Sequence, residues 1–305
     1  MFDFPKWLPR RGGGQRRGVE VNTAGVMTWA SLREGDARTT SVFVNMRDLN
    51  LVSMNTSVVE ARYGRGGGSG YYPVILTPTG TGTTTVLAIN GALPSVLNIA
   101  VYPQRTLTVA FRKVRTAAWT AHATDAYASN LIDVANALYR YQGNLRLRKF
   151  GPIDTVEIPG LPAAVDRGGA AGFESWSCHV HGSADITVFF VPDYENSAAG
   201  GGQWAGQFRN WMVFEPSISA NMSGMVFAHE MGHFFGLNHP SPSLPNNLLN
   251  QSSVGDRHRY RSFLNRTQIE TITDRSNWDN RTVNVCLAAS AAANALKGLL
   301  KNFGN

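Results

Sequence analysis

In the first third of the chain, hydrophobic residues come as short β-branched or aromatic runs rather than at helical spacing. Ser41-Val42-Phe43-Val44, Thr56-Ser57-Val58-Val59, Tyr72-Pro73-Val74-Ile75-Leu76 and Thr84-Thr85-Val86-Leu87-Ala88-Ile89 are such runs. Glycine-rich punctuation such as Gly66-Gly67-Gly68 separates them. Short strands with turn signals between them predict a β-rich, sandwich-like region over residues 19–105.

The pattern changes near Thr106. Leu107-Thr108-Val109-Ala110-Phe111 reads as a strand. From Ala126 to Tyr141, the residues Leu131, Val134, Ala135, Leu138 and Tyr141 recur at helical spacing on one face. A strand over Leu145–Phe150 and a long loop follow. The apolar run Asp185–Val191 reads as a buried strand, and Asn210–Phe214 as another. A second helix is expected over Ser219–Phe235. This order predicts an α/β (α+β) fold with a mixed sheet over residues 106–285. The Ala- and Leu-rich stretch Cys286–Leu300 predicts a packed amphipathic helix in residues 286–305, and the Arg/Gly-rich residues 1–18 read as a basic tail.

Composition changes this picture little. Of 305 residues 43% are hydrophobic, enough for a sizeable core. No run approaches the ~18 apolar residues of a membrane span. The net charge of +7 is scattered outside Arg10, Arg11, Arg16 and Arg17, which favours a solvated basic face over nucleic-acid binding. Two cysteines, Cys178 and Cys286, are too few for a disulfide scaffold; they can pair or stay free. The opening MFDFPKWLPRRGGGQRRG lacks the apolar core of a secretory signal. The expectation is a cytoplasmic protein or one exported by a signal-independent route.

The chemistry concentrates in His229-Glu230-Met231-Gly232-His233-Phe234-Phe235-Gly236-Leu237-Asn238-His239. Two histidines four apart on a helix point the same way, so their imidazoles can share one ion. Glu230 lies beside that face. Gly236 stands where the helix would end, because glycine tolerates a left-handed C′ conformation. The chain can then turn back to bring His239 in as a third ligand. Three protein ligands leave the fourth position of a catalytic zinc ion for water.

This extended pattern resembles the signature of the metzincin superfamily of zinc peptidases. The resemblance extends more weakly over Thr106–Asp279. It implies a twisted mixed sheet, a backing helix, an active-site helix and one catalytic Zn2+, with Glu230 as general base. It also implies that Gln203, Trp204 and Ala205 belong to the edge strand that binds an extended protein or peptide substrate. Pro240 after the third histidine resembles serralysins, whose calcium-binding glycine repeats are absent. Metzincins carry a methionine-bearing turn beneath the zinc. Asn246-Asn247-Leu248-Leu249-Asn250 resembles it, with Leu249 in the methionine's place. Leu264–Ile272 resembles the C-terminal helix of such domains.

Lesser candidates surround this array. A Cys178 thiolate could cap the zinc, although the matrixin pro-segment motif is absent. His179 and His181 alternate on an extended segment and read as loop residues rather than a second metal site. His258 reads as a surface residue, and Tyr260 as a remote candidate for an oxyanion donor. The expected reaction is peptide-bond hydrolysis by a metal-activated water. The alternatives are a zinc-stabilised binding module that does not cleave, or an exported effector or toxin protease.

Overall fold

A computed structural model describes residues 7–8, 19–21, 27–33, 40–67, 70–90, 93–117, 120–158, 164–165, 178–191, 193–194, 203–205, 211–214, 216, 220–240, 247–249 and 264–274. The tail 9–18 and the expected helix 286–300 lie outside these residues, as do His258, Tyr260 and Cys286.

Among the described residues, nine strands precede residue 103. They are β1 (Trp7–Leu8), β2 (Val19–Val21), β3 (Met27–Arg33), β4 (Thr40–Val44), β5 (Asn50–Ser53), β6 (Val59–Tyr63), β7 (Tyr72–Pro78), β8 (Gly82–Asn90) and β9 (Leu93–Tyr102). One sheet has the order β1-β4-β7-β6 and the other β2-β3-β9-β8-β5. Their inner faces meet in a single apolar cluster. Val42, Val44, Val59, Val74 and Leu76 come from one sheet, and Leu32, Val86, Ala88, Leu97 and Ile99 from the other. All pairs in the two sheets are antiparallel except β3 with β9, which are parallel. The expected strand over residues 56–59 starts later, at Val59. Asn55 is the reason: its side chain accepts from Ser57 N–H at 3.1 Å, and its carbonyl accepts from Val58 and Val59 N–H at 3.1 and 3.2 Å. A local asparagine turn outbids the strand propensity of the residues after it.

The second sheet system begins with β10 (Arg105–Arg115), separated from β9 by two residues. Helix α1 (Asp125–Gly143) leads back to β11 (Leu145–Lys149), followed by β12 (Asp154–Glu157) and the short pair β13 (Ala164–Val165) and β15 (Asp193–Tyr194). Then come β14 (Ile186–Phe190), β16 (Gln203–Ala205), β17 (Trp211–Phe214), α2 (Ala220–Phe234) and α3 (Arg266–Thr273). The sheet order is β11-β10-β14-β17-β16, with β12 also on β10. All pairs are parallel except β16 with β17. The fold is therefore mixed α/β, with several sheets and few helices.

Every residue of β14 is buried, as expected for a strand covered on both faces. Ile186, Val188 and Phe190 join the large cluster beneath α1 and α2, while Phe189 and Val191 join a smaller one with Val114, Ile158 and Val213. Thr124 caps α1 by accepting from Tyr127 N–H, and Asn144 closes it in the left-handed conformation (φ 54°). The buried face of α1 includes Leu131, Ile132, Ala135, Leu138 and Tyr139. Tyr141, expected on that face, is instead 49% exposed, with the Arg33 guanidinium 4.6 Å from its ring centre. Gly224 of α2 lets the two helices close up, since a Cβ there would meet Val134 at 2.6 Å.

The sandwich and the second system share a core at their junction. Trp29 of β3 and Ala100 of β9 belong to the large cluster, not to the sandwich's own. Arg266 of α3 stands 5.8 Å from the Trp29 ring centre. Among the described residues no helix is long and apolar enough to cross a membrane.

Candidate metal centre

Helix α2 is apolar almost all round. Phe227, Ala228, Met231 and Phe234 are buried, so its few polar groups stand out. It ends in a Schellman motif: Gly236 N–H donates to the His233 carbonyl and Leu237 N–H to the Gly232 carbonyl, both at 3.0 Å. Gly236 has φ 90°, a conformation L side chains resist. The reversed chain brings His239 back over the helix.

The three histidines meet. His239 Nε2 lies 3.2 Å from His229 Nε2 and 3.0 Å from His233 Nε2. Tetrahedral zinc with Zn–N bonds of ~2.05 Å would set such nitrogens about 3.3 Å apart, so the triad fits an ion of that size. Among the described residues it is the one group of three or more His, Cys, Asp or Glu side chains close enough together to hold a metal ion.

Protonation also favours ligation. His229 Nδ1 lies 2.7 Å from the Leu248 carbonyl, and His233 Nδ1 lies 2.7 Å from the Leu237 carbonyl. A carbonyl only accepts, so both Nδ1 atoms carry hydrogen and both Nε2 atoms keep a lone pair for a metal. Burial holds His233 below the usual imidazole range; the nearby His239 acts in the same direction and the Leu237 carbonyl against it. A neutral imidazole is the form that ligates.

Glu230 follows His229 on α2 and is half-buried. Its charge reaches Tyr139, whose phenol is pushed well above its ordinary range, first by complete burial and then by Glu230. The Tyr139 hydroxyl donates to the Ala228 carbonyl, tying α1 to the helical turn that carries His229. Gln203, Trp204 and Ala205 form β16, which ends the sheet path and runs alongside α2. Leu249 is fully buried under Gly232, where a Cβ would meet its Cδ2 at 2.7 Å.

The remaining candidates fall elsewhere. Cys178 is disulfide-bonded, so it offers no thiolate to cap a metal. The His181 ring lies tilted against Phe150 with centres 4.5 Å apart, and its Nδ1 accepts from Ser183 N–H at 3.3 Å. His179 is held low by burial and then by Arg112, which donates to its carbonyl. These two histidines form no metal cluster among the described residues.

Sequence reasoning missed the groups behind the histidines: the Leu237 and Leu248 carbonyls, and the amides Asn247 and Gln268. One signal was readable. Asn265-Arg266-Thr267-Gln268 is a capping box at the start of α3.

No family model and no curated protein matches the chain. Among solved structures, a chaperone–substrate complex aligns at 14% identity and a TM-score of 0.35, over 66% of this chain and 41% of that one. This chain thus spans about two fifths of that protein's length. Metalloproteinase-II from Bacteroides fragilis aligns at 10% identity and a TM-score of 0.36, over 80% of this chain and 85% of its own. A sialyltransferase from Photobacterium damsela aligns at 11% identity and a TM-score of 0.20, over 56% and 37%. All three likenesses are remote.

Proposed function

We propose that this chain is a zinc-dependent endopeptidase of the metzincin type. The observation that carries the reading is the meeting of the His229, His233 and His239 Nε2 atoms, with Glu230 next to His229 on the same helix. These three side chains would hold the ion. Bound there, zinc supplies Lewis acidity toward a substrate carbonyl and draws the pKa of a water toward ~7. Glu230 is the general base: it takes the proton of the attacking water and passes it to the leaving amine. The Leu248 and Leu237 carbonyls keep the two helical histidines in the ligating tautomer. An extended peptide adds to the outer edge of β16 by backbone hydrogen bonds, which reads main chain more than side chains. Leu249 fills the methionine's place with a residue of similar volume.

The disulfide at Cys178 supports a working compartment that is oxidising, hence an exported protease. Alkylation and mass spectrometry of protein drawn from its native source, without reductant, checks this: recovery of an alkylated Cys178 would remove the argument.

The deciding experiment is Glu230→Gln. This change keeps shape and removes the base. Zinc content by elemental analysis should stay at the parent's level while cleavage of an unfolded generic protein falls ~10²–10⁴-fold. Cleavage at the parent rate with zinc retained would defeat the mechanism.

A further inference from the structure

Two buried amides lie beneath the histidines, Asn247 (1% exposed) and Gln268 (8% exposed). They face each other reciprocally. Asn247 Nδ2 donates to Gln268 Oε1 at 2.6 Å, and Gln268 Nε2 donates to Asn247 Oδ1 at 3.2 Å. Each amide also holds backbone. Asn247 Oδ1 accepts from Leu249 N–H at 3.0 Å, and Gln268 Oε1 accepts from Asn265 N–H at 3.0 Å. Between the Asn247 side chain and His229 stands one peptide unit, 248–249, and its Leu248 carbonyl is the acceptor for His229 Nδ1.

We infer that Asn247 and Gln268 are positioning residues for the metal centre. Their amide pair fixes the Leu248 carbonyl, and that carbonyl fixes the ring plane and tautomer of His229. The inference rests on the metal-centre reading above. Buried amides are costly when unpaired, so rotating either one loses several bonds at once. The 248–249 peptide therefore has one favoured orientation. Released from it, the carbonyl turns away, and His229 can carry its hydrogen on Nε2, a tautomer in which that atom cannot ligate. Gln268 also completes the capping box of α3, and Gln142 of α1 accepts from Leu264 N–H at 2.8 Å just ahead of that helix. Helix α3 thus anchors the pair from behind.

The test uses the full chain. Zinc affinity is measured against a chromophoric chelator, apo-protein stability by thermal melting, and the His229 tautomer by long-range ¹H–¹⁵N spectra assigned with His229→Gln. Gln268→Met keeps volume and removes both amide contacts. Its folded form should bind zinc about 10-fold or more weakly, with His229 in mixed tautomers. Gln268→Glu keeps acceptor oxygens toward Asn265 and Asn247 and should recover most of the affinity. A lower melting temperature with parental zinc affinity and a parental His229 tautomer overturns the inference, because that is a merely structural role. If Gln268→Met does not fold, Asn247→Ala carries the test. It loses both the contact to Leu249 and the pairing with Gln268, so unchanged zinc affinity there is equally fatal. Failure of the parent chain itself to take up zinc would remove the metal centre, a different result from loss of the amide pair alone.

Discussion

The sandwich and the histidine-bearing half bury different chemistry. In the sandwich the shared core is valine, leucine, isoleucine and alanine. The buried polar residues among those described are Thr116, Gln142, Asn144, Thr187, Ser223, Asn247 and Gln268, and every one lies beyond residue 105. Gln142, Asn144, Asn247 and Gln268 each bond to backbone at or near the ends of α1 and α3 or under α2. An apolar core tolerates exchange as long as volume is kept. A hydrogen-bonded core specifies atom positions, which a metal centre needs and a scaffold does not. The difference suggests that equal losses of stability in the two halves carry unequal losses of function.

The sharpest way to break that contrast pairs two truncations. Leu76 and Leu249 are both fully buried, so Leu76→Ala and Leu249→Ala should each cost ~2–5 kcal/mol in urea titration. Folded Leu76→Ala should bind zinc as the parent does, while Leu249→Ala should bind it more weakly. Equal zinc affinity in both proteins would erase the distinction. Gly232→Ala comes next, at roughly 1–3 kcal/mol, because the new methyl meets Leu249 Cδ2 at 2.7 Å and Tyr139 Oη at 3.2 Å. Its stability loss should travel with a loss of zinc affinity, seen in the same two titrations. Leu249→Met is a volume-conserving swap and should cost under ~1.5 kcal/mol with zinc binding kept. Thr124→Ala removes the cap of α1 far from the histidines. It should cost about 1 kcal/mol and leave zinc binding untouched.

The smallest effect concerns pH. His233 and His179 are both held below the ordinary imidazole range by burial. The unfolded chain then binds more protons than the folded one as pH falls through ~6.5. Apo-protein stability should be fully present above that pH and decline below it, as urea midpoints at pH 7.5 and 5.5 will report. A midpoint that rises on acidification contradicts the direction assigned to these groups.

Sequence made the helices legible because their information is local. The expected spans 126–141 and 219–235 match Asp125–Gly143 and Ala220–Phe234 closely, since the apolar spacing lies within the elements themselves and Gly236 stands just beyond the end of the second. The histidine array was legible for the same reason, being one helical turn plus one reversal. Strand β3 was missed, and so was its parallel pairing with β9, in which Trp29 faces Asn98 across most of the sandwich's sequence. No local pattern encodes that register. Strand β12 reads Asp-Thr-Val-Glu with little buried, so it carries no hydrophobic signal. The Asn247–Gln268 pair joins residues 21 apart, and only tertiary packing makes them neighbours. Tyr139 and Tyr141 show the limit of periodicity: both fit near the edge of the apolar stripe, and packing against α2 chose the first.

Trp29 and Ala100 have a consequence for how the chain is made. Both belong to strands of the sandwich, yet both are buried in the cluster under α1 and α3. A ribosome delivers the sandwich first and α3 more than 160 residues after Ala100. At ~5–20 residues per second the nascent sandwich waits about 8–30 seconds for α3. During that time an indole and its neighbours lack part of their cover. Chains stopped before residue 264 would keep this sticky surface permanently, and aggregation of such truncated products follows from the same contact that joins the finished halves.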